Sequence, residues 1–174
     1  NIMRGGPGLG NIAPSQADYF QATKGGGHGD YHMIVLAPSS VQEAFELTML
    51  SFDLADIYRM PVMILADGLL GQMMEGVVAN SKWQIANSGH KPLAISHKLK
   101  TWALTGAKGR KPNVIKSLLL KPNELEELNK TLQASYKDIQ EKEVRFESLY
   151  CDDAGLIVVA YGTTSRIARA AVKD

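Results

Sequence analysis

Cysteine is almost absent: Cys151 is the only one in 174 residues. A single cysteine excludes an intrachain disulfide, a cysteine-ligated zinc site and an iron–sulfur cluster held by this chain alone. A reducing, cytoplasmic setting is the reading that follows. Histidine is scarce as well, with His28, His32, His90 and His97. His28 and His32 stand four apart, which would suit one helix face, but the glycines around them oppose a helix. No metal site is therefore assigned. No apolar run approaches the roughly 20 residues of a membrane-crossing helix. The GxGxxG and GxxxxGK[ST] fingerprints are missing, which disfavours a dinucleotide or P-loop nucleotide site. A net charge of +1 argues neither for nor against nucleic acid; there is no basic stripe interleaved with aromatics, and no nucleic-acid partner is expected. There is no signal peptide, and residue 1 is Asn, so the sequence reads as an internal piece of a longer chain.

What is present is a globular composition, 45% hydrophobic and 21% charged, enough for one ordinary domain or one plus a fragment. Its most unusual stretch is Met3-Arg4-Gly5-Gly6-Pro7-Gly8-Leu9-Gly10. One cation stands beside backbone with almost no side chains. The glycines allow positive φ and close approach of a ligand to the main chain. A second run, Gly25-Gly26-Gly27-His28-Gly29-Asp30, follows. On composition alone both could equally be plain surface turns.

The rest reads as α/β. Asn1-Ile2-Met3 ends a strand that feeds the first glycine loop. Ser15 is expected to cap a short helix to Thr23, with Ala17, Phe20 and Gln21 inside. Met33 to Ala37 reads as a buried parallel strand closed by Pro38. Ser40-Val41-Gln42-Glu43 has the form of a capping box and opens a helix that Pro61 stops. Pro61 to Asp67 is a second buried strand, so strand, helix and strand form a βαβ crossover, expected to be right-handed. Asp67-Gly68 falls at the carboxyl end of that strand, the edge where open α/β sheets bind ligands. Met73 and Met74 are expected to fill a core or an interface. Periodicity is poor from Val77 to Lys121, which includes Trp83 and Trp102. Asn123 is expected to cap a helix whose stripe is Leu125, Leu128, Leu132, Tyr136 and Ile139 and whose charges form a solvated face. Gly155 to Gly162 reads as an apolar strand. Thr163 or Thr164 then caps a helix with Ile167, Ala168, Ala171 and Val172 inside.

Arg4-Gly5-Gly6-Pro7, Gln16-Ala17-Asp18, Leu36-Ala37-Pro38-Ser39-Ser40 and Glu43-Ala44-Phe45-Glu46-Leu47-Thr48 occur in this order. Arg59, Pro61-Val62, Asp67, Gly71 and Ala160-Tyr161-Gly162-Thr163-Thr164 continue it. The ordered set resembles the alpha subunit of 2-oxoacid:ferredoxin oxidoreductases, the branched-chain type above all. The resemblance implies an α/β fold. Residues 1–76 would be the second half of a thiamine-diphosphate enzyme's pyrimidine-binding domain. Residues 77–154 would be an irregular excursion and linker helix, and 155–174 the start of a transketolase C-terminal-like domain.

It also implies oxidative decarboxylation of 2-ketoisovalerate-like 2-oxo acids to acyl-coenzyme A. Thiamine diphosphate and magnesium would be shared with a partner subunit. Iron–sulfur clusters would sit on partner subunits only, with ferredoxin taking the electrons. Arg4 falls on the family's substrate-loop arginine. Arg4, Gly5, Gly6, Gly8 and Leu9 are thereby the implied substrate-binding set. A guanidinium fork matches a planar carboxylate by two parallel hydrogen bonds. The usual Ser-Thr after Pro is here Gly8-Leu9, and the following loop, Asn11-Ile12-Ala13-Pro14, is one residue shorter. The family's substrate threonine and cofactor-protonating glutamate would precede Asn1, so no catalytic residue is assigned. The rival readings are a non-catalytic α/β interaction module, or the same enzyme class acting on pyruvate or 2-oxoglutarate.

Overall fold

The computed structural model describes residues 1–78, 100, 102–104 and 106–173; Trp83, His90 and His97 lie outside them. The chain divides into two compact units, Asn1–Ala94 with Arg145–Asp174, and Ile95–Val144.

The first unit is built on a short parallel sheet. Strand β1 is Ile2–Met3, β2 Ile34–Leu36, β3 Val62–Ile64 and β4 Ala66–Asp67. β2 pairs with β3, Ile34 opposite Val62, and β1 pairs with β4, Ile2 opposite Ala66. β3 and β4 are two halves of one extended segment. Leu65 N–H donates to the Leu36 carbonyl at 2.8 Å, and Ala66 N–H to the Asn1 carbonyl at 2.9 Å. Successive residues of a strand aim their amides at opposite sides. The segment 62–67 is therefore central, with β2 on one side and β1 on the other.

Both sheet faces are covered, as parallel pairing requires. Met3 and Leu65 pack with Ala22, Val35, Met63 and Tyr161 on one face. Ile34, Leu36 and Ala66 alternate to the other face and are also buried. Helix α2, Val41–Tyr58, follows β2, packs on β3, and buries Leu50 and Leu54. Leu54 is fully buried, which is worth about 1.5–3 kcal/mol for such a side chain. This is the expected strand–helix–strand crossover.

The start of α2 is a capping box displaced by one residue. Glu43 N–H donates to Ser40 Oγ at 3.1 Å, as expected. The Glu43 carboxylate reaches past the cap residue to Ser39, accepting from its N–H at 2.7 Å and its hydroxyl at 2.9 Å. At the other end Arg59 takes a left-handed conformation, φ 55°, two residues before Pro61.

Several expectations are corrected. Helix α1 is only Tyr19–Thr23, and Asp18, not Ser15, stands at its cap position without a side-chain capping bond. A helix of little more than one turn turns one residue inward. That residue is Ala22, while Phe20 and Gln21 are exposed. Helix α3, Gly68–Gln72, is followed by Met73, half-buried, and Met74, 96% exposed, so Met74 fills no core here. Residues 155–160 form no strand, and Leu156 to Val159 are exposed. An apolar run becomes a buried strand only where neighbours take its amides and carbonyls, and none does among the described residues. Helix α5 spans Gly162–Lys173 and buries Gly162 and Thr163. Ile167, Ala171 and Val172 are exposed and Ala168 half-buried, so its apolar positions are not inside.

The second unit contains α4, Glu124–Lys142. Asn123 precedes it at φ 69° but makes no side-chain capping bond. Glu124, Glu126 and Glu127 in the first turn suit the positive end of the helix dipole instead. The charged face is solvated and laced by pairs such as Lys130 with Glu126 and Lys142 with Asp138. None of the helix is buried, including Leu125 and Leu128 of the apolar stripe. No helix among the described residues is long and apolar enough to cross a membrane.

Candidate functional site

β1 delivers its last residue, the buried Met3, to the carboxyl edge of the sheet, and Arg4 follows in solvent. The glycine loop then closes on itself. Arg4 and Pro14 form an antiparallel bridge. Gly5 N–H donates to the Ala13 carbonyl at 3.2 Å, and Asn11 N–H to the Gly5 carbonyl at 3.0 Å. Ala13 N–H donates to Asn11 Oδ1 at 3.0 Å. Residues 4–5 and 11–14 are thus the two arms of a stalk, and Gly6 to Gly10 form its tip.

The loop itself requires a glycine at position 10 and crowds position 5. Gly10 has φ +61°, and a Cβ there would stand 1.8 Å from the Gly5 carbonyl oxygen. A Cβ on Gly5 would meet Asn11 Oδ1 at 2.6 Å. Gly8 has φ +69° and open space around it, and Gly6 is likewise open. The close approach expected at Gly5 is therefore to the loop's own return arm.

The Arg4 side chain folds back over the tip. Its Nε donates to the Leu9 carbonyl at 3.1 Å. Neither terminal nitrogen has a partner among the described residues, so two coplanar donors face solvent at the sheet's carboxyl edge. Leu9 and Ile12 beside them are 87% and 84% exposed. The second glycine run lies elsewhere. It precedes the amino end of β2, whereas Arg4 follows the carboxyl end of β1, and both strands run parallel to the same central segment. Lys24 and His28 are therefore not brought to Arg4 by the sheet.

Beneath the loop lies a polar junction. Asp67, 3% exposed, ends β4 and caps α3. Its Oδ1 accepts from Leu69 N–H at 3.0 Å and Leu70 N–H at 3.1 Å. Its Oδ2 accepts the hydroxyl of Thr163, itself buried. Gln16 Nε2 donates to the Tyr161 carbonyl at 2.8 Å. The Tyr161 ring lies 5.7 Å from that of Tyr19. Burial, then Tyr19 and the carboxylates of Asp67 and Asp18, hold the Tyr161 phenol above its ordinary pKa. Gly68 sits under the return arm, where a Cβ would meet the Ile12 carbonyl at 3.5 Å and Pro14 Cα at 3.6 Å.

A second tie joins α5 to α2. Arg166 Nη1 donates to Glu75 Oε1 at 2.7 Å, and Glu75 Oε2 accepts from Val41 N–H at 2.9 Å. The Val41 amide foremost, then Arg166, holds the Glu75 carboxyl below its ordinary value of 4.5. A shallow cavity of about 440 Å³ adjoins it, lined by Ser39, Ser40, Glu43, Arg166, Arg169 and Lys173. Arg166 and Arg169 there are paired with Glu75 and Glu147, and Glu43 adds a negative charge beside Lys173.

Residues 1–143 match the family described as "Pyruvate flavodoxin/ferredoxin oxidoreductase, thiamine diP-bdg". The chain belongs to this family. It is similar to the ketoisovalerate oxidoreductase subunit VorB of Methanothermobacter marburgensis, 49% identical over 173 residues, 99% of this chain and 46% of that protein. The subunit of the same name from Methanothermobacter thermautotrophicus is 48% identical over 174 residues, again 46% of its length. More distant is the 2-oxoglutarate synthase subunit KorA of Methanothermobacter marburgensis, 31% identical across 99% of this chain and 50% of that protein. The chain thus spans about half the length of these relatives.

The segments on which the family resemblance rests are gathered in space. Gln16, Asp67, Tyr161 and Thr163, from three distant segments, meet at the junction under the Arg4 loop. Sequence reasoning placed Asp67 at a ligand-binding edge and Thr163 at a helix cap. The structure has them bonded to each other. Gln16–Tyr161 and Glu75–Arg166 had no signal in the sequence, since no local spacing reports pairs 145 and 91 residues apart.

Proposed function

We propose that the chain is part of a thiamine-diphosphate-dependent 2-oxoacid:ferredoxin oxidoreductase acting on 2-ketoisovalerate and related branched acids. Arg4, with Gly5, Gly6, Gly8 and Leu9 around it, takes the substrate carboxylate. The observation that carries this reading is the Arg4 guanidinium, whose two terminal nitrogens are unpartnered among the described residues, on a self-closed loop at the carboxyl edge of a parallel sheet. Such a fork binds a planar carboxylate by two charge-assisted hydrogen bonds. Family membership and the VorB relatives support the reaction class. The apolar Leu9 and Ile12 support a branched tail over a second carboxylate.

Residues 1–76 are the second half of the pyrimidine-binding domain, and 155–174 open a transketolase C-terminal-like domain. Thiamine diphosphate supplies the electron sink for decarboxylation. Among the described residues no three of His, Cys, Asp and Glu are grouped to hold a metal ion. Thiamine diphosphate and its magnesium are shared between this protein and a partner subunit. Iron–sulfur clusters belong to partners, with ferredoxin and coenzyme A as co-substrates, in the cytoplasm.

The test is kinetic, on the complete complex. Arg4→Ala should lower kcat/KM for 2-ketoisovalerate by two or more orders of magnitude, since two hydrogen bonds to a charged group, worth about 1.5–3 kcal/mol each, are lost together. The intact enzyme should prefer 2-ketoisovalerate to pyruvate, with 2-oxoglutarate poorest. Unchanged kinetics in Arg4→Ala would remove Arg4 from the site, and a preference for 2-oxoglutarate would refute the apolar reading of the loop.

A further inference from the structure

The bond from Arg4 Nε to the Leu9 carbonyl ties the guanidinium to its own loop and leaves open what fixes that loop in the domain. Its loop makes few ties to the domain. Arg4 and Gly5 are held by the return arm, through the bridge to Pro14 and the bond from Gly5 N–H to the Ala13 carbonyl. The arm lies over Gly68 by contact alone, where a Cβ would stand at ordinary van der Waals distance from the Ile12 carbonyl and Pro14 Cα. The first side chain after the arm that grips the rest of the unit is Gln16, two residues beyond Pro14, with its amide on the Tyr161 carbonyl at 2.8 Å.

That acceptor is itself well held. Tyr161 stacks against Tyr19, its hydroxyl lies 3.9 Å from the sulfur of the buried Met3, and Thr163 two residues on is bonded to Asp67. Gly162 between them has φ +58°, and a Cβ there would stand 3.2 Å from Gln16 Nε2. The glycine leaves the amide just enough space.

We propose that Gln16 is a positioning residue: by fixing the end of the return arm to the start of α5, it sets where the Arg4 guanidinium stands. The inference rests on Arg4 binding the substrate carboxylate. It makes the start of α5, far along the chain, a determinant of substrate affinity.

The test is a double-mutant cycle in the complete complex, read as KM and kcat for 2-ketoisovalerate. Gln16→Met keeps length and removes the donor. With Arg4 present, KM should rise roughly 3- to 10-fold, as expected for one lost hydrogen bond, with kcat changed less than about twofold. In the Arg4→Ala background the same substitution should leave KM unchanged. Gly162→Ala provides a second route, because it crowds the Gln16 amide without altering Gln16. It should reproduce the KM rise with Arg4 present and lose it in Arg4→Ala.

Equal effects in both backgrounds would mean that Gln16 only staples the fold, and would overturn the proposal. No KM change with Arg4 present would overturn it as well. If Arg4→Ala itself leaves KM unchanged, the carboxylate reading fails, and that result stands apart from either outcome at Gln16.

Discussion

The buried Asp67 carboxylate should show a graded response to substitution, because its two oxygens do different work. Oδ1 caps α3 through Leu69 and Leu70, and Oδ2 accepts the Thr163 hydroxyl. Thr163→Val keeps the side-chain shape but removes the donor. It leaves one oxygen of a carboxylate that is 3% exposed without its partner, at about 1–3 kcal/mol. Asp67→Ala removes the cap, worth about 0.5–2 kcal/mol, and strands the buried Thr163 hydroxyl as well. Its cost should be roughly 2–4 kcal/mol. Asp67→Asn keeps an oxygen for the cap, and its amide can donate to a Thr163 hydroxyl that has turned to accept. It should cost under about 1 kcal/mol.

The assay is the urea midpoint of the full-length subunit at constant m, so that shifts report stability alone. The expected order of loss is Asp67→Ala, then Thr163→Val, then Asp67→Asn. Thr163→Val should also cost little further once Asp67 is Ala, since the shared bond is already gone. Additive losses, or an Asp67→Asn as damaging as Asp67→Ala, would refute the division of labour between the two oxygens.

Gly10→Ala places a Cβ on the Gly5 carbonyl and strains a positive φ, the latter costing roughly 1–2 kcal/mol. Because the loop is exposed, the thermal midpoint should stay within a few degrees while KM for the 2-oxo acid rises; an unchanged KM would make the loop's closed shape irrelevant to binding. Glu75 is held below its ordinary 4.5, so its contribution to stability is present above that value and is lost as pH falls through the lower folded-state value. The stability gap between the native chain and Glu75→Gln should therefore be full at neutral pH and close only in acid, as read from urea midpoints across that range. A gap that persisted unchanged into strong acid would contradict the assignment.

The sheet and α2 were legible because each carries its signal locally. Ile34-Val35-Leu36 and Val62-Met63-Ile64 are short apolar runs bounded by prolines, and Ser40 with Glu43 announces a helix start. The displacement of Glu43 onto Ser39 was not legible, since the box spacing is satisfied either way. Arg4 was legible as a lone cation in a glycine loop. The reason for the glycines was only half so: Gly10 and Gly5 make room for the loop's own arm, a fact that depends on where Asn11 folds back. Nothing in the sequence marked Gln16 beyond its place in a family motif, because its partner is a backbone carbonyl near the other end of the chain.

The failures share a physical cause. Periodicity reports an apolar pattern, and not which neighbours, if any, shield it. Leu156-Ile157-Val158-Val159 carries the pattern of a strand buried on both faces, yet stands exposed. Ile167 and Val172 on α5 and Leu125 and Leu128 on α4 do the same, while Leu132, Tyr136 and Ile139 are half-buried. By contrast, the start of α5 is firmly held, by Asp67 through Thr163 and by Glu75 through Arg166; sequence reading had given Asp67 and Thr163 other tasks and Glu75 and Arg166 none. The buried bond of Thr163 to Asp67 and the more exposed pair of Arg166 with Glu75 hold the amino-terminal half of this helix, while Ile167 and Val172 stand in solvent. That anchoring accounts for where the helix begins. It is also why the junction at Gln16, Asp67 and Thr163, rather than the apolar run before it, is where a change late in the chain can reach the Arg4 loop.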